Sequence, residues 1–216
     1  NVITVEDPVE KNIEGINQCQ VNAKAGMTFA AALRSILRQD PDIVMIGEMR
    51  DQETAEIAIR AAITGHLVLS TLHTNDAAST ITRLVDMGVA PYMVATSLIG
   101  IVAQRLVKKI CMECRTPRIS TDEEDRLMGI SEHITVYDHA GCPKCNNTGY
   151  TGRTAIHEIL LCTPEMSSLV ANGGKVDAIS KLAREQGTKL LRDNVSELVQ
   201  DGRTTIDELV RVTYAV

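Results

Sequence analysis

Short apolar runs alternate with helical patterns along the first half of the chain. The three runs are residues 2–5, 43–46 and 67–72. Residues 28–39 and 52–63, which lie between them, carry apolar positions at helical spacing. Strands that alternate with helices are typical of βαβ units, so the pattern predicts an α/β fold with a mostly parallel sheet up to about residue 109.

The second half has a different pattern. Pro91 is well placed to begin a helix, which we expect to reach about residue 107. Two cysteine pairs then bracket a polar stretch, and the pattern becomes helical from residue 163 onward. We expect three regions: a core at 1–109, a metal-organised module at 110–153 and a helical subdomain at 154–216. Further helices are predicted at 77–87, 164–170, 176–186, 190–200 and from 206.

Each apolar run ends at residues that carry useful chemistry. Glu6-Asp7 follows the first run, Gly47-Glu48 the second, and His73 the third. Ligands of parallel sheets bind beyond the carboxyl ends of the strands, where these side chains are expected to meet. A single carboxylate in such a place is ordinarily a surface residue, but three agreeing strand ends favour a site.

The cysteines form two Cys-x-x-Cys pairs with a long gap between them. Cys111, Cys114, Cys142 and Cys145 are the members of these pairs. Paired short spacings favour a tetrahedral zinc site, with disulfides or a redox pair as the alternative. Four thiolates leave no position for a substrate, so the predicted zinc is structural. Cys19 and Cys162 are expected to be ordinary thiols.

Charge and composition exclude some classes of function. The net charge is −6 and aromatic residues make up 2% of the chain, so a general nucleic-acid binder is disfavoured. The sequence has no apolar run long enough to span a bilayer, and residues 1–4 lack a charged signal-peptide head. We therefore expect a cytoplasmic protein with no direct membrane insertion.

Four ordered motifs resemble those of the ATPases of type II secretion and type IV pilus assembly. Residues 3–10 resemble the aspartate box of that family, and 37–42 the approach to its Walker B motif. Residues 47–51 resemble Walker B with its glutamate, and 64–75 the histidine box. The resemblance covers nearly all of the chain, because the assembly and secretion branch also carries a tetracysteine module.

The resemblance implies a RecA-like core, truncated at its amino side, with a tetracysteine zinc module and a helical carboxyl-terminal subdomain. It implies ATP and Mg²⁺ as ligands, with Glu48 orienting or deprotonating the attacking water. Glu6 and Asp7 would act around the metal. The family's matching arginines are implicated in nucleotide or subunit-interface contacts, and in this sequence they are Arg34, Arg38 and Arg50. For Arg34 and Arg38 a solvated helix face is the alternative.

The two histidines of the histidine box cannot be equivalent. Seven strand steps would separate His66 from His73 by roughly 23 Å. We favour His73, at the carboxyl end, as the residue that senses phosphate or aligns a carboxylate. His66 is expected to be structural, to act at a subunit interface, or to touch the nucleotide.

The phosphate-binding loop of such ATPases is missing from the sequence. No Gly-x-x-x-x-Gly-Lys-Ser/Thr segment occurs, and the only Gly-Lys pair, Gly174-Lys175, is followed by Val176. In the family that loop lies shortly before the position matching Asn1, so the chain is expected to be a fragment. We expect it to bind nucleotide very weakly alone and to have no useful ATPase activity.

The resemblance also implies partners and a location. The intact protein would be a homo-hexamer at the cytoplasmic face of the inner membrane, where it contacts a membrane platform protein. Two other classes of function remain open from the sequence. One is a RecA-like nucleic-acid motor, which would need basic grooves and aromatics, and the other is a non-catalytic zinc-binding scaffold.

Overall fold

The computed structural model describes residues 1–214, and in that range the chain forms eight strands and nine α-helices. The strands are β1 Val2–Glu6, β2 Asn17–Gln20, β3 Ile43–Ile46, β4 Leu67–Ser70, β5 Gly100–Ile110, β6 Arg115–Ile119, β7 Thr135–His139 and β8 Tyr150–Leu161. The helices are α1 Phe29–Ile36, α2 Gln52–Ile63, α3 Ala77–Asp86, α4 Pro91–Ser97, α5 Asp122–Met128, α6 Pro164–Ala171, α7 Val176–Glu185, α8 Leu191–Gln200 and α9 Ile206–Tyr214. Short 3-10 helices cover Ala23–Ala25 and Pro143–Cys145.

The chain divides into two compact units. Unit 1 contains Asn1–Thr74, Ala78–Ile101 and Leu161–Leu182. Unit 2 contains Asn75–Ala77, Val102–Leu160 and Ala183–Val216. Each unit therefore combines segments that are distant in sequence, and the three-part division predicted above remains a prediction.

Unit 1 is built on a four-stranded sheet with the order β2-β1-β3-β4. All three strand pairings are parallel, with Val5 opposite Ile46 and Ile46 opposite Ser70. The predicted parallel sheet is confirmed. The polar strand β2 is an addition that the apolar pattern did not indicate, because its sequence is Asn-Gln-Cys-Gln.

Helices α1 and α2 contribute apolar faces to the core of this sheet. Leu33 and Ala58 pack in one buried cluster with Val5, Val44 and Ile46. Both helices begin at a polar cap: the Thr28 hydroxyl accepts a hydrogen bond from the Ala31 amide, and the Asp51 carboxylate from the Thr54 amide. Capping fixes where each helix starts, and burial of the apolar face holds it on the sheet.

The predicted helix over 91–107 is wrong beyond Ser97. Leu98 has an extended backbone, and the chain then forms the long strand β5. Consecutive β-branched side chains at Ile101 and Val102 favour extended structure. Exposure along the first half of β5 alternates with a period of two, as expected for a strand.

Strand β8 was not predicted at all. It pairs with β5, and its buried Ile156, Glu158 and Leu160 alternate with exposed His157 and Ile159. The alternation of β8 includes a charged residue at a buried position, which hides the pattern in the sequence. The strand crosses the boundary drawn between residues 153 and 154.

Unit 2 also holds an antiparallel pair of strands and a helical core. Strands β6 and β7 pair from Arg115 opposite His139 to Ile119 opposite Thr135. Helices α8 and α9 pack together, and Val195, Val199 and Leu209 belong to one buried apolar cluster of this unit. Across residues 1–214, no helix has the length and apolar character needed to cross a bilayer.

Candidate functional site

The carboxyl ends of β1 and β3 approach each other closely at Gly47. The Gly47 amide donates a 2.7 Å hydrogen bond to the Val5 carbonyl. A Cβ atom at position 47 would lie 3.2 Å from that carbonyl oxygen and 3.4 Å from the Glu6 Cα atom. Glycine therefore permits the close approach, and the approach sets Glu48 beside the strand end that carries Glu6 and Asp7.

Glu48 has a partner at each carboxylate oxygen. Its Oε1 atom accepts an ion-paired hydrogen bond from Arg50, and its Oε2 atom lies 3.2 Å from His73 Nε2. The side chain of Glu48 is only 12% exposed. The hydrogen bond from Arg50 leads the effects that lower the pKa of Glu48, with a smaller contribution from His73, against the opposing effect of burial. The carboxylate is therefore ionised at neutral pH and acts as an acceptor.

Arg50 connects this carboxylate with the first strand end. The hydrogen bond and charge of Glu48 raise the pKa of Arg50, and the charge of Asp7 adds to that effect. Asp7 itself is exposed. Two of the predicted site residues, Arg50 and His73, thus contact Glu48 directly. Asp7 acts on Arg50 through its charge.

Glu6 is held by side chains that sequence reasoning missed. Its Oε1 atom accepts hydrogen bonds from Thr4 Oγ1 at 2.5 Å and from Gln18 Nε2 at 2.9 Å. Gln18 lies opposite Thr4 in the β1–β2 pairing. The alternation of β1 places Thr4 and Glu6 on one face of the sheet, but only the register of β2 could have identified Gln18.

Thr71 is a second missed residue, and it joins the ends of β3 and β4. Its hydroxyl donates a 2.6 Å hydrogen bond to the Gly47 carbonyl. The Met49 amide in turn donates to the Thr71 carbonyl at 3.1 Å. These bonds fasten the backbone on both sides of Glu48 to the strand that leads to His73.

The remaining predicted residues lie apart from this contact cluster. Arg34 forms an ion pair with Glu53 of α2, and Arg38 is exposed beyond the end of α1. His66 precedes β4, at the opposite end of that strand from His73, and its Nδ1 atom lies 3.1 Å from the Ala61 carbonyl. The structure therefore brings only one of the two histidines to Glu48.

The cluster has the parts that alignment of a water molecule requires. A carboxylate oxygen has two lone pairs, so each oxygen of Glu48 can accept a further hydrogen bond beside those from Arg50 and His73. Oxygen ligands for a hard cation are present at the neighbouring strand end in Glu6 and Asp7. The arrangement suits metal-assisted transfer of a charged group to water.

The four paired cysteines form a second, separate cluster in unit 2. Their sulfur atoms all lie within 4.8 Å of one another, and Cys111–Cys142 and Cys114–Cys145 are both 3.9 Å apart. A tetrahedral ion with metal–sulfur bonds of about 2.3 Å holds its sulfurs about 3.8 Å apart. The four thiols therefore fit a zinc ion in both spacing and ligand type.

Backbone amides also point at one of these sulfurs. The amides of Cys142 and Gly149 each donate to Cys145 Sγ at 3.2 Å. Burial opposes ionisation of Cys145, but these bonds, together with those from the Cys142 and Cys114 thiols, outweigh it and lower the pKa of the Cys145 thiol to about 6. Gly149 has a φ of +75°, and a Cβ there would lie 2.1 Å from His139 Nδ1, so the turn requires glycine.

Asp122, Asp125 and His133 form another group of possible metal ligands in unit 2. His133 uses different ring nitrogens for the two carboxylates: Nδ1 lies 2.5 Å from Asp125 and Nε2 lies 3.5 Å from Asp122. One metal ion can take only one of those nitrogens. Asp125 also accepts a 2.5 Å bond from Ser120, so the group acts as a structural hydrogen-bond network.

Comparison with known proteins gives matches along almost the whole chain. The family model described as "Type II/IV secretion system protein" matches residues 1–211. The chain is 51% identical over 213 residues to the type II secretion system protein HxcR of Pseudomonas aeruginosa, covering 99% of this chain and 42% of that protein. It is 48% identical over 217 residues to the type IV pilus assembly ATPase PilB of Thermus thermophilus, covering 99% of this chain and 24% of that protein.

Solved structures match at the level of the fold. The crystal structure of the pilus retraction motor PilT with bound ADP aligns with a TM-score of 0.71 at 29% identity, over 98% of this chain and 52% of that one. The ATPase DotB of Legionella pneumophila aligns with a TM-score of 0.69 at 22% identity, over 100% of this chain and 52% of that one. The chain thus spans about half or less of the length of each of these proteins.

Proposed function

The chain belongs to the type II/IV secretion system protein family, and on that premise we propose that the intact protein containing it is an ATP-hydrolysing motor. It would power type II protein secretion or type IV pilus assembly, as the names of its relatives suggest. The observation that carries the proposal is the contact cluster of Glu48, Arg50 and His73 at the ends of β3 and β4.

In this proposal Glu48 is the residue that aligns the attacking water. Its carboxylate is ionised, mostly shielded from solvent, and held from two sides, so its orientation is fixed before the reaction. A positioned base of this kind contributes about 10²–10⁴-fold to a rate. His73 holds the second oxygen of Glu48, and Arg50 supplies positive charge beside it, where phosphoryl transfer develops negative charge.

Glu6 and Asp7 would hold the waters around a magnesium ion. Magnesium bound with nucleotide neutralises phosphate charge and keeps several water ligands. Thr4 and Gln18 occupy one oxygen of Glu6 and fix its side chain on the sheet, while the exposed Asp7 is free to turn toward solvent. Arg34, Arg38 and His66 would make nucleotide or subunit-interface contacts in the assembled protein.

We assign the four cysteines a structural zinc ion. Zinc would be held by Cys111, Cys114, Cys142 and Cys145 with no position left for a substrate. The intact protein would assemble as a homo-hexamer at the cytoplasmic face of the inner membrane and engage a platform protein there. The 216-residue chain would be inactive alone, since its sequence contains no phosphate-binding lysine loop.

Steady-state ATP hydrolysis by the intact protein tests the proposal. Glu48→Gln keeps the shape of the side chain and removes its charge, so the rate should fall at least about 100-fold. Glu14→Gln is the matched control, because Glu14 is exposed in a loop of the same unit. Equal turnover by the wild type and Glu48→Gln would overturn the assignment, and a zinc-loaded protein with no hydrolysis at all would favour a non-catalytic scaffold.

A further inference from the structure

The loop between β1 and β2, residues 7–16, contains no helix or strand and directly follows Glu6. It lies in unit 1 together with both strands. Backbone groups outside helices and strands need other hydrogen-bond partners. Two glutamines of β2, Gln18 and Gln20, are the partners of three backbone groups in this loop. The strand β2 therefore holds the loop that leaves the carboxylates of the proposed site.

Gln18 joins this loop to Glu6 with a single side chain. Its Oε1 atom accepts a 2.7 Å hydrogen bond from the Ile13 amide. Its Nε2 atom donates to the Lys11 carbonyl at 3.1 Å and to Glu6 Oε1 at 2.9 Å. A side-chain amide nitrogen carries two hydrogens, so both are in use.

The loop fixes which way the Gln18 amide points. The Ile13 amide can only donate, so the oxygen of Gln18 must face it and the nitrogen must face Glu6. Half a turn of the side-chain amide would place its oxygen against the Lys11 carbonyl and the Glu6 carboxylate, with no hydrogen between these acceptors. Gln18 therefore presents a donor to Glu6 as long as the loop holds its place.

This donor helps to saturate one oxygen of Glu6 and leaves the other available. Thr4, which is only 4% exposed, donates to the same Oε1 atom at 2.5 Å. A carboxylate oxygen has two lone pairs, so Thr4 and Gln18 together occupy Oε1. Among residues 1–214, Oε2 of Glu6 has no hydrogen-bond partner. Oε2 is therefore the oxygen that remains for a further donor.

We propose that Gln18 is a positioning residue for Glu6, which uses the β1–β2 loop to fix Oε1 and so keeps Oε2 for the water shell of the magnesium ion. The inference rests on the proposed function, which assigns Glu6 and Asp7 to that water shell. It extends that function by making the affinity for the metal depend on the loop contacts of Gln18. Gln18 acts through Glu6 alone.

Gln20 offers a matched control on the same strand. It follows Gln18 by two residues, so both side chains lie on one face of the sheet. Its Oε1 atom accepts a 3.4 Å bond from the Val9 amide, so Gln20→Leu loosens the loop without removing a donor from Glu6. Thr4→Val is the second test variant, because it removes the other donor to Glu6, keeps a β-branched side chain and leaves the loop bonds intact.

Hydrogen exchange in the intact protein tests the loop contact without metal or nucleotide. Gln18→Leu removes the acceptor of the Ile13 amide, so exchange of that amide should rise at least about threefold. Thr4→Val should leave exchange at Ile13 unchanged, since its hydroxyl contacts only Glu6. If Ile13 exchanges at the wild-type rate in Gln18→Leu, the loop is not held through Gln18 and the inference is refuted.

Binding of Mn²⁺ tests the effect on Glu6 without hydrolysis. Electron paramagnetic resonance measures free Mn²⁺ while the metal is titrated into the intact protein with a non-hydrolysable ATP analogue. Gln18→Leu and Thr4→Val should each weaken Mn²⁺ binding about tenfold, as the loss of a partner that orients a metal-site group does. Gln20→Leu should bind Mn²⁺ like the wild type. Wild-type affinity in both test variants, or an equal loss in Gln20→Leu, would overturn the inference.

The magnesium dependence of ATP hydrolysis then separates positioning from general damage. The Mg²⁺ concentration for half-maximal turnover should rise about tenfold in Gln18→Leu and Thr4→Val, and most of kcat should return at saturating Mg²⁺. An unchanged Mg²⁺ requirement in both variants would contradict the inference. A wild-type protein that binds Mn²⁺ with the analogue but does not hydrolyse ATP would contradict the proposed function instead, and the Mn²⁺ titrations of Gln18→Leu and Gln20→Leu would still decide the role of Gln18.

Discussion

The two side-chain clusters of this chain differ in how they meet solvent. In unit 1, Arg50 and His73 are 65% and 88% exposed, and they flank the Glu48 carboxylate at the carboxyl ends of the parallel strands. In unit 2, Cys111 and Cys145 are 1% and 5% exposed, and the four sulfurs face one another. An open cluster can receive a substrate, whereas a closed one can only hold an ion.

The clusters also differ in what keeps them together. The cysteine cluster is formed by two short turns. The Cys-x-x-Cys spacing within each turn brings the two thiols of that pair together. The Glu48 cluster depends on the pairing of β1, β3 and β4 and on the backbone bonds of Gly47 and Thr71. Damage to the first should be felt as lost stability, and damage to the second mainly as lost activity.

Metal removal should have the largest effect on stability. Chelation of the reduced protein, or Cys145→Ser, leaves buried thiols without the ion that joins them. We expect a loss of several kcal/mol, or roughly 10 °C or more in Tm, measured by thermal unfolding with metal analysis in parallel. Cys162→Ser, which lies outside the cluster, is the control. A Tm that does not respond to removal of stoichiometric zinc would contradict the structural assignment.

Gly47→Ala should show that the open cluster also has a structural requirement. The added methyl group would lie 3.2 Å from the Val5 carbonyl, so β1 and β3 must separate slightly. We expect about 1–3 kcal/mol of destabilisation in a urea titration. The kcat of the intact protein for ATP should fall more than this loss of folded protein explains, because the strand ends that carry Glu6 and Glu48 move apart. An unchanged free energy of unfolding would mean that β1 and β3 accommodate the methyl group without separating.

Arg50→Gln should change the pH dependence of ATP hydrolysis by the intact protein. The hydrogen bond from Arg50 is the leading cause of the lowered pKa of Glu48. Without it the pKa rises, so the acidic limb of the kcat/KM profile should move to higher pH. Arg60→Gln, at the exposed last turn of α2, should leave that limb in place. An acidic limb that stays put in Arg50→Gln would show that another group titrates there.

The smallest effect concerns an ion pair within unit 2. Hydrogen bonds from Arg118 lower the pKa of Glu124 to about 2, from an ordinary value of 4.5. Its stabilisation is therefore complete above pH 4.5 and is lost as the pH falls toward 2. Glu124→Gln should cost about 1 kcal/mol at pH 6, since Arg118 is partly exposed, and the difference from wild type should shrink by pH 3. Urea titrations at both pH values measure the free energies of unfolding of the two proteins. If these differ by the same amount at pH 6 and pH 3, the Arg118–Glu124 ion pair is not the source of the stabilisation.

Some of these features could be predicted from the sequence, and the reasons differ between the units. The cysteine cluster follows from spacing within short segments, and the ends of three strands follow from apolar runs. The contact of Gln18 with Glu6 could not be predicted from the sequence. The polar strand β2 has no apolar pattern, and the contact depends on the register in which β2 pairs with β1. The sequence did not reveal β5, because its apolar residues are also compatible with a helix. It did not reveal β8, because the charged residue Glu158 occupies one of the buried positions of that strand.

The central proposal is that the open cluster of the intact protein performs ATP hydrolysis through Glu48. The most direct test is single-turnover cleavage of bound ATP by the intact protein, compared between the wild type and Glu48→Gln with nucleotide binding measured separately. We predict that Glu48→Gln binds ATP with unchanged affinity and cleaves it at least about 100-fold more slowly. Cleavage of bound ATP at the wild-type rate would contradict the account.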